Sequence, residues 1–115
     1  MAIARIWRGI TLAANADSYS RYVDEFVVPA HVNAAGNAGL ILLQDPQGEL
    51  VHFLLLSFWT SEEAVEGFAG VSPCDLVAPC PGERKLLLAF ESTARHYQVV
   101  YAFALPPPGT AGGSA

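Results

Sequence analysis

Two segments of this chain each have a strand pattern, then polar residues, then a helical pattern. This repeated order constrains the fold more than any other property of the sequence. Residues 3–11 alternate as a β-strand does, and residues 50–59 form a second apolar strand segment. Each carries a tryptophan, Trp7 or Trp59, and each runs through polar residues into a helical pattern. The sequence therefore predicts two strand–helix halves in one chain.

Both helices have recognisable start signals. Asn15 and Asp17 supply N-cap oxygens before the first helix, and Thr60 with Glu63 forms a capping box before the second. Pro29 predicts a kink or stop in the first helix, because proline lacks a backbone donor. The first helix has an apolar stripe at helical spacing, made of Tyr19, Tyr22, Val23, Phe26 and Val27.

The remaining segments complete a βαββαβ order. Residues 40–44 predict a second strand, joined to residues 50–59 through a Pro- and Gly-containing turn at residues 45–48. Residues 83–90 fit a short helix or an extended run equally well, and residues 93–105 predict a fourth strand. Right-handed crossovers then give a ferredoxin-like α+β fold with a four-stranded antiparallel sheet in the order 4-1-3-2. The domain is expected to span residues 1–104, followed by a flexible Pro/Gly-rich tail at 105–115.

Composition points to a protein partner. Hydrophobic residues make up 52% of the 115 residues and charged residues 15%, against about 25% charged in ordinary soluble domains. With both helices on one face of the sheet, a second copy is the simplest cover for the other face, so we expect a homodimer. The net charge of −5 argues against a nucleic-acid partner.

No segment reaches the ~20 apolar residues of a membrane span, and no signal peptide is visible, so the cytoplasm is the expected compartment. Cys74 and Cys80 are then expected to be reduced thiols in a loop, with a disulfide closing that loop as the alternative. The chain has three histidines and no clustered carboxylates, so we do not expect a metal site.

Arg5 and Arg8 are unusual on a strand predicted to be central. Alternation places one on each face, where each is either a structural ion-pair or strand-end residue or an anion clamp in a pocket. His96 on the fourth strand is a candidate general base, with a hydrogen-bonded wall histidine as the alternative. His52 has the same two interpretations, a general base or a hydrogen-bonded histidine in the wall of the sheet. His31 is expected to be a solvated residue at a helix end.

Several aromatic side chains lie at periodic positions, which is typical of a core and equally suited to a flat ligand. With Arg5, they form the candidate ligand-binding set: Trp7, Tyr22, Phe26, Trp59 and Phe68.

Three stretches resemble the antibiotic biosynthesis monooxygenase-like family. They are residues 3–9 (IARIWRG), residues 58–64 (FWTSEEA) with 68–70 (FAG), and residues 95–100 (RHYQVV). The resemblance implies a dimeric α+β barrel. This fold hosts oxygenases, haem-degrading enzymes, isomerases and proteins without known activity.

Haem-degrading relatives use an Asn on the first strand, a Trp late in the second helix and a downstream His as axial ligand. The matching positions here are Arg8, Phe68 and a position near Ala78, and none carries the required residue. The resemblance thus implies no haem and no other cofactor. It favours a cofactor-independent monooxygenase-like enzyme for a small aromatic or polyketide-type substrate, with His96 moving a proton and Arg8 or Arg5 binding a phenolate. The alternative is a non-catalytic homodimer that binds a small ligand or serves a structural role.

Overall fold

The computed structural model describes residues 1–71 and 81–103 and contains a sheet covered by helices on one face. The strands are β1 (Ile3–Leu12), β2 (Asn37–Gln47), β3 (Leu50–Trp59), β4 (Leu87–Phe90) and β5 (Arg95–Gln98). The helices are α1 (Ala16–Tyr22), α2 (Val28–Val32), α3 (Glu62–Val71) and α4 (Pro81–Arg84). A 3₁₀ turn (Ala13–Asn15) precedes α1, and a π-helical turn (Val23–Val27) joins α1 to α2.

The sheet is antiparallel, with β1 at its centre. Its order is β2-β3-β1-β4, and β5 also pairs with β1. The predicted ferredoxin-like α+β arrangement and the order 4-1-3-2 are confirmed, but the position of the fourth strand is occupied by two short strands. β4 pairs with Gly9–Thr11 and β5 with Ile3–Ile6, and a register shift at Ile10/Thr11 interrupts the first pairing. The open alternatives for residues 83–90 are both realised, as α4 followed by β4.

The pairing of β1 with β3 determines which side chains face the helices. Ile3 lies opposite Trp59 and Leu12 opposite Leu50, with unbroken register between them. Odd-numbered residues of both strands are buried beneath the helices, and even-numbered ones lie on the other face. We call that other face the open face.

Two clusters form the core between sheet and helices. The larger consists of Trp7, Ala16, Tyr19, Val23, Val27, Val51, Phe53 and Leu55. The smaller lies at the other end of the sheet and consists of Ile3, Trp59, Val65 and Phe68.

The first hairpin differs from its prediction. β2 begins before residue 40 and runs through Asp45 and Pro46, so these two residues belong to the strand and not to the turn. The turn is reduced to Gly48 and Glu49, with Gly48 at φ 65°. Pro46 is tolerated because β2 is an edge strand, where a missing donor breaks no ladder hydrogen bond.

The first helix also continues further than predicted. Pro29 does not end it, because the π-helical turn ahead of the proline changes the hydrogen-bonding pattern and α2 extends to Val32. Tyr19, Val23 and Val27 face the core as predicted, whereas Phe26 is 61% exposed. The prediction that Phe26 belongs to the buried stripe was therefore wrong.

The second helix is capped one residue later than predicted. The Ser61 hydroxyl accepts a hydrogen bond from the N–H of Ala64 at 3.1 Å, so Ser61 and not Thr60 is the N-cap. α3 accordingly begins at Glu62.

The last strand is shorter than residues 93–105. β5 ends at Gln98, and residues 99–103 have no regular structure beyond a backbone hydrogen bond from Val99 to Ala2. No helix in residues 1–71 and 81–103 has the length and hydropathy that a transmembrane span requires. Cys74, Cys80, Ala78 and the predicted tail lie outside the described residues.

Two glycines with positive φ give a matched test of how closely the chain just before β2 approaches α3. Gly36 has φ 82°, and a Cβ there would overlap the Ala64 side chain, whereas a Cβ at Gly48 meets no atom within 4 Å. Gly48→Ala should cost about 1 kcal/mol from backbone strain alone. Gly36→Ala should cost roughly 1–3 kcal/mol more, because the overlap adds to the strain. Thermal unfolding should show this as a further loss of several degrees in Tm. Equal losses in the two variants would contradict the close approach at Gly36.

Candidate functional site

The alternation of β1 separates the two arginines that the sequence singled out. Arg5 points to the helix side and is only 4% exposed, whereas Arg8 lies exposed on the open face. His96 lies opposite Arg5 in the β1–β5 pairing and so shares its side. The predicted catalytic residues His96 and Arg8 are therefore not brought together, and the arginine that meets His96 is Arg5.

Arg5 and His96 form a direct hydrogen bond. Arg5 Nη1 donates to His96 Nε2 at 3.2 Å. A guanidinium has no acceptor, so Nε2 must carry a lone pair, and the imidazole is neutral with its proton on Nδ1. Neutral His96 can accept a proton, and Arg5 can bind an anion.

The surroundings of His96 keep it neutral. Partial desolvation of the ring and then the Arg5 charge lower its pKa, while Glu62 and Glu66 on α3 oppose the shift. The side chain remains exposed at the edge of the sheet, so both solvent and a ligand can reach the ring. A base that is neutral and accessible near pH 7 suits proton transfer.

His31 lies on the same helix-facing side of the sheet as Arg5 and His96. Its position in the sequence had suggested a solvated residue. Its side chain is fully buried, with the ring 6.0 Å from that of Trp59 and 4.7 Å from that of Phe68. Nδ1 donates to the Val27 carbonyl at 2.8 Å, and Nε2 has no hydrogen-bond partner among the described residues. The expectation of a solvated His31 was wrong because the helix continues past Pro29. The i+4 spacing of Val23, Val27 and His31 was the signal that could have shown it.

Trp59 and Phe68, two of the predicted ligand-binding residues, are core residues around His31. Trp59 is fully buried, its ring lies 4.8 Å from that of Phe68, and its Nε1 donates to the Ser57 hydroxyl at 2.9 Å. Ser57 is the β3 partner of Arg5 in the strand register. Polar groups are thus gathered at the end of the core that holds the smaller cluster, from Arg5, His31, Ser57 and His96.

The other three predicted ligand-binding aromatics lie elsewhere. Trp7 is buried in the larger cluster, and its Nε1 donates to the Glu91 carbonyl at 2.9 Å. Tyr22 is half-buried and its ring lies 4.9 Å from that of Phe26, which is exposed on the helix surface. The structure does not gather the predicted aromatics around one site.

A separate groove of about 350 Å³ lies on the open face, where β1, β3 and β4 meet. Arg8 and His52 are diagonal neighbours on its floor, because Arg8 lies opposite Leu54 and Ile10 opposite His52. The other side chains that contribute to it are Ile10, Leu54, Ala89 and Glu91. Phe90 lies opposite Gly9, and its ring is on the helix side, 6.2 Å from that of Trp7.

One buried polar pair was not foreseen from the sequence. Tyr19 on α1 donates its hydroxyl proton to Glu83 on α4 at 3.1 Å, and both residues are buried. Burial raises the pKa of Glu83, and burial together with the Glu83 charge raises the pKa of Tyr19. The partners are 64 residues apart, so no local pattern indicates the contact.

Burial of His31 predicts an acid-dependent loss of stability. Desolvation, and to a lesser extent the Arg5 charge, lower the pKa of His31, against the effect of the Val27 hydrogen bond. The folded state therefore keeps its full stability at pH values above about 6.5, the pKa of His31 in the unfolded chain. This stability falls at lower pH, because there the unfolded chain binds a proton that the folded chain excludes.

Between pH 7.5 and 5.5, His31 should account for a loss of up to about 1.4 kcal/mol in the free energy of unfolding. Urea unfolding of His31→Phe should show a correspondingly smaller loss across this range, although the variant starts from lower stability without its Val27 hydrogen bond. His52→Phe, on the open face, controls for the loss of one histidine. The same pH dependence in His31→Phe and the unaltered chain would contradict a buried neutral His31.

Comparisons with known proteins support the fold. No protein-family model and no curated protein sequence matches the chain. Among solved structures, Rv0793 from Mycobacterium tuberculosis is 16% identical and has a TM-score of 0.62, over 90% of this chain and 100% of that one. SnoaB, a cofactor-independent oxygenase from Streptomyces nogalater solved as a point mutant, is 16% identical and has a TM-score of 0.56, over 92% and 98%.

A haem-degrading protein is also among the similar structures. Rv3592 from Mycobacterium tuberculosis is 21% identical, with a TM-score of 0.58 over 90% of this chain and 100% of that one. Identities this low establish the fold and leave the chemistry open. A putative antibiotic biosynthesis monooxygenase from Chloroflexus aurantiacus is 14% identical, with a TM-score of 0.61 over 92% of this chain and 100% of that one. The resemblance expected from the three sequence stretches is therefore confirmed at the level of the fold.

Proposed function

We propose that this protein is a homodimeric, cofactor-independent oxygenase-like enzyme that acts on a small phenolic substrate at the Arg5–His96 pair. The observation that carries the proposal is the 3.2 Å hydrogen bond from a buried guanidinium to a neutral, accessible imidazole. The likeness of the fold to a cofactor-independent oxygenase gives independent support.

The pair supplies the two groups that such chemistry needs. A phenolic substrate that carries an activated CH₂ group loses a proton to His96 Nε2, which becomes available when the His96 ring turns away from Arg5 and the Arg5 N–H groups bind the substrate oxygen instead. Arg5 then stabilises the resulting anion, whose charge is delocalised onto the ring carbon. That carbon transfers electrons to O₂ and forms the new C–O bond. Elimination of water leaves a carbonyl, so that CH₂ and O₂ become C=O and H₂O.

Residues on the helix side position the pair. Arg5 is held by the central strand, with Ser57 opposite it and the ring of Trp59 beyond. Apart from the Arg5 hydrogen bond, His96 is held by the short strand β5, at the edge of the sheet. Adjustment on substrate binding is therefore expected at His96 before Arg5.

One observation favours the alternative, a homodimeric protein that binds a small ligand without catalysis. The layer between sheet and helices is filled by close-packed rings, with Trp7, Tyr19 and Phe53 almost fully buried. A substrate would thus meet His96 at the margin of this layer. A measurement of turnover distinguishes the enzyme from the non-catalytic binding protein.

Oxygen uptake tests the catalytic proposal. With hydroxylated anthrones as substrates, His96→Gln should lower the rate of O₂ consumption by roughly 100-fold, because a general base contributes at least about that much. The variant should keep the Tm of the unaltered chain within a few degrees, since His96 is exposed. His52→Gln, on the open face, is the matched control and should retain the rate. An unaltered chain that consumes no more O₂ than the buffer, or a His96→Gln variant with full rate, would contradict catalysis here.

The homodimer is part of the proposal because the open face is rich in apolar side chains. Ile6 on β1, Leu56 on β3 and Ile41 on β2 lie side by side on this face and are only half-buried within one chain. A second copy packed face to face would cover them.

Light scattering at micromolar protein should give about twice the 12.2 kDa chain mass. Leu56→Glu should shift the protein toward monomer, since a carboxylate would have to be buried between the two sheets. A monomer at these concentrations for the unaltered chain would contradict the proposal.

A further inference from the structure

The buried imidazole of His31 has one nitrogen that the fold does not pair. The side chain has no exposed surface, and its Nδ1 donates to the Val27 carbonyl at 2.8 Å. Nε2 has no hydrogen-bond partner among residues 1–71 and 81–103. A buried polar atom in this state destabilises the folded chain, and most such atoms in native proteins are paired. The proposed proton transfer at His96 does not use this nitrogen.

The unpaired nitrogen of His31 is a hydrogen-bond acceptor. Because Nδ1 carries the proton that is donated to Val27, the neutral ring keeps a lone pair on Nε2. Burial, and to a lesser extent the Arg5 charge, lower the pKa of His31 against the effect of the Val27 hydrogen bond, so the neutral ring is favoured. Such an atom accepts from an O–H or N–H group and has nothing to offer an ether oxygen.

This acceptor lies at the end of the core where Arg5 is buried. The His31 ring is 6.0 Å from that of Trp59, and Trp59 Nε1 donates to the Ser57 hydroxyl at 2.9 Å. Ser57 lies opposite Arg5 in the pairing of β1 with β3. Since Nδ1 is turned toward the backbone of its own helix, Nε2 on the far side of the ring points into the layer between helix and sheet. The donor Arg5 and the acceptor His31 therefore serve the same end of that layer.

Phe68 is the outermost ring of this group. Its ring lies 4.7 Å from that of His31 and 4.8 Å from that of Trp59. It is 8% exposed, whereas the other two rings have no exposed surface. A flat ligand that enters beside the exposed His96 can take the place of the Phe68 ring once that ring turns aside, because aromatic rings pack on one another at such distances. The far edge of the ligand then reaches His31.

We propose that His31 is a specificity-determining residue whose Nε2 accepts a hydrogen bond from a second hydroxyl group of the substrate, while Arg5 binds the first oxygen. The preferred substrate is therefore a phenol with an additional free hydroxyl on its ring system. This inference rests on the site proposed above and narrows its substrate class. A diol gains a hydrogen bond that its analogue without the second hydroxyl cannot make, since the analogue leaves the buried acceptor unpaired.

Calorimetric titration with diols and matched phenols tests this preference without turnover. 2,7-Dihydroxynaphthalene has one hydroxyl more than 2-naphthol, and 1,6-dihydroxynaphthalene one more than 1-naphthol. None of these four ligands carries the activated CH₂ group that the proposed oxidation requires. At least one diol should bind the unaltered chain about 10-fold or more tightly than its matched naphthol, which is the effect of one hydrogen bond to a buried acceptor.

Two substitutions separate the two nitrogens of His31. The amide of His31→Asn can still donate to Val27 but places no acceptor at the position of Nε2, whereas the longer side chain of His31→Gln can place its carbonyl oxygen there. His31→Asn should weaken diol binding about 10-fold and leave the affinity for the naphthol unchanged. His31→Gln should recover part of the diol preference. His52→Asn, on the open face, is the matched control and should keep the full preference.

Two results would overturn the assignment of His31. One is an unaltered chain that binds diol and naphthol equally, which also decides the matter should the His31 variants fail to fold. The other is a diol preference that survives His31→Asn, which would place the second hydroxyl elsewhere. A chain that shows the preference and consumes no O₂ would support this inference and contradict the proposed catalysis. A chain that binds none of the four ligands would overturn the site itself.

Discussion

The unbroken pairing of β1 with β3 is the constraint on which the rest of the structure depends. From Ile3–Trp59 to Leu12–Leu50 the register never shifts. The odd-numbered residues of both strands therefore lie beneath the helices, and the even-numbered residues lie on the open face. A slip of one residue would exchange the two faces. A slip of β1 would bring Arg8 into the core and turn Trp7 outward, and a slip of β3 would do the same with His52 and Trp59. The burial of two tryptophans and Phe53 makes such a slip costly, because each large buried ring contributes several kcal/mol.

That register also determines the chemistry available on each face. On the helix side, Arg5 is buried at the end of the core that holds His31 and His96, and the charge of Arg5 lowers the pKa of both histidines. A positive charge that cannot reach water is better accommodated beside neutral imidazoles than beside imidazolium ions. The neutral state of His96, on which proton acceptance depends, is thus a consequence of where β1 places Arg5. On the open face, Arg8, His52 and Glu91 surround an apolar groove and are separate from that layer.

The sequence predicted those features that depend on local periodicity. The period of two along β1 placed Arg5 and Arg8 on opposite faces, and the element order implied the 4-1-3-2 sheet and the neighbourhood of Arg5 and His96. His31 was misassigned because Pro29 was expected to stop a helix that continues through a π-helical turn. The pairing of His96 with Arg5, and not with Arg8, requires the strand register, and the Tyr19–Glu83 contact joins elements that are distant in sequence. Neither follows from patterns within one element.

The state of the His96 ring tests the central claim most directly. Long-range ¹H–¹⁵N NMR of the imidazole, followed from pH 8 to pH 5, reports both its tautomer and its pKa. The geometry predicts a neutral ring with the proton on Nδ1 at pH 7 and a pKa below the ordinary value of about 6.5. Arg5→Lys should change the tautomer balance, because a single ammonium cannot reproduce the planar donor fork. A ring protonated on Nε2, or a pKa above 6.5, would show that Arg5 does not donate to His96 and would contradict the proposed site.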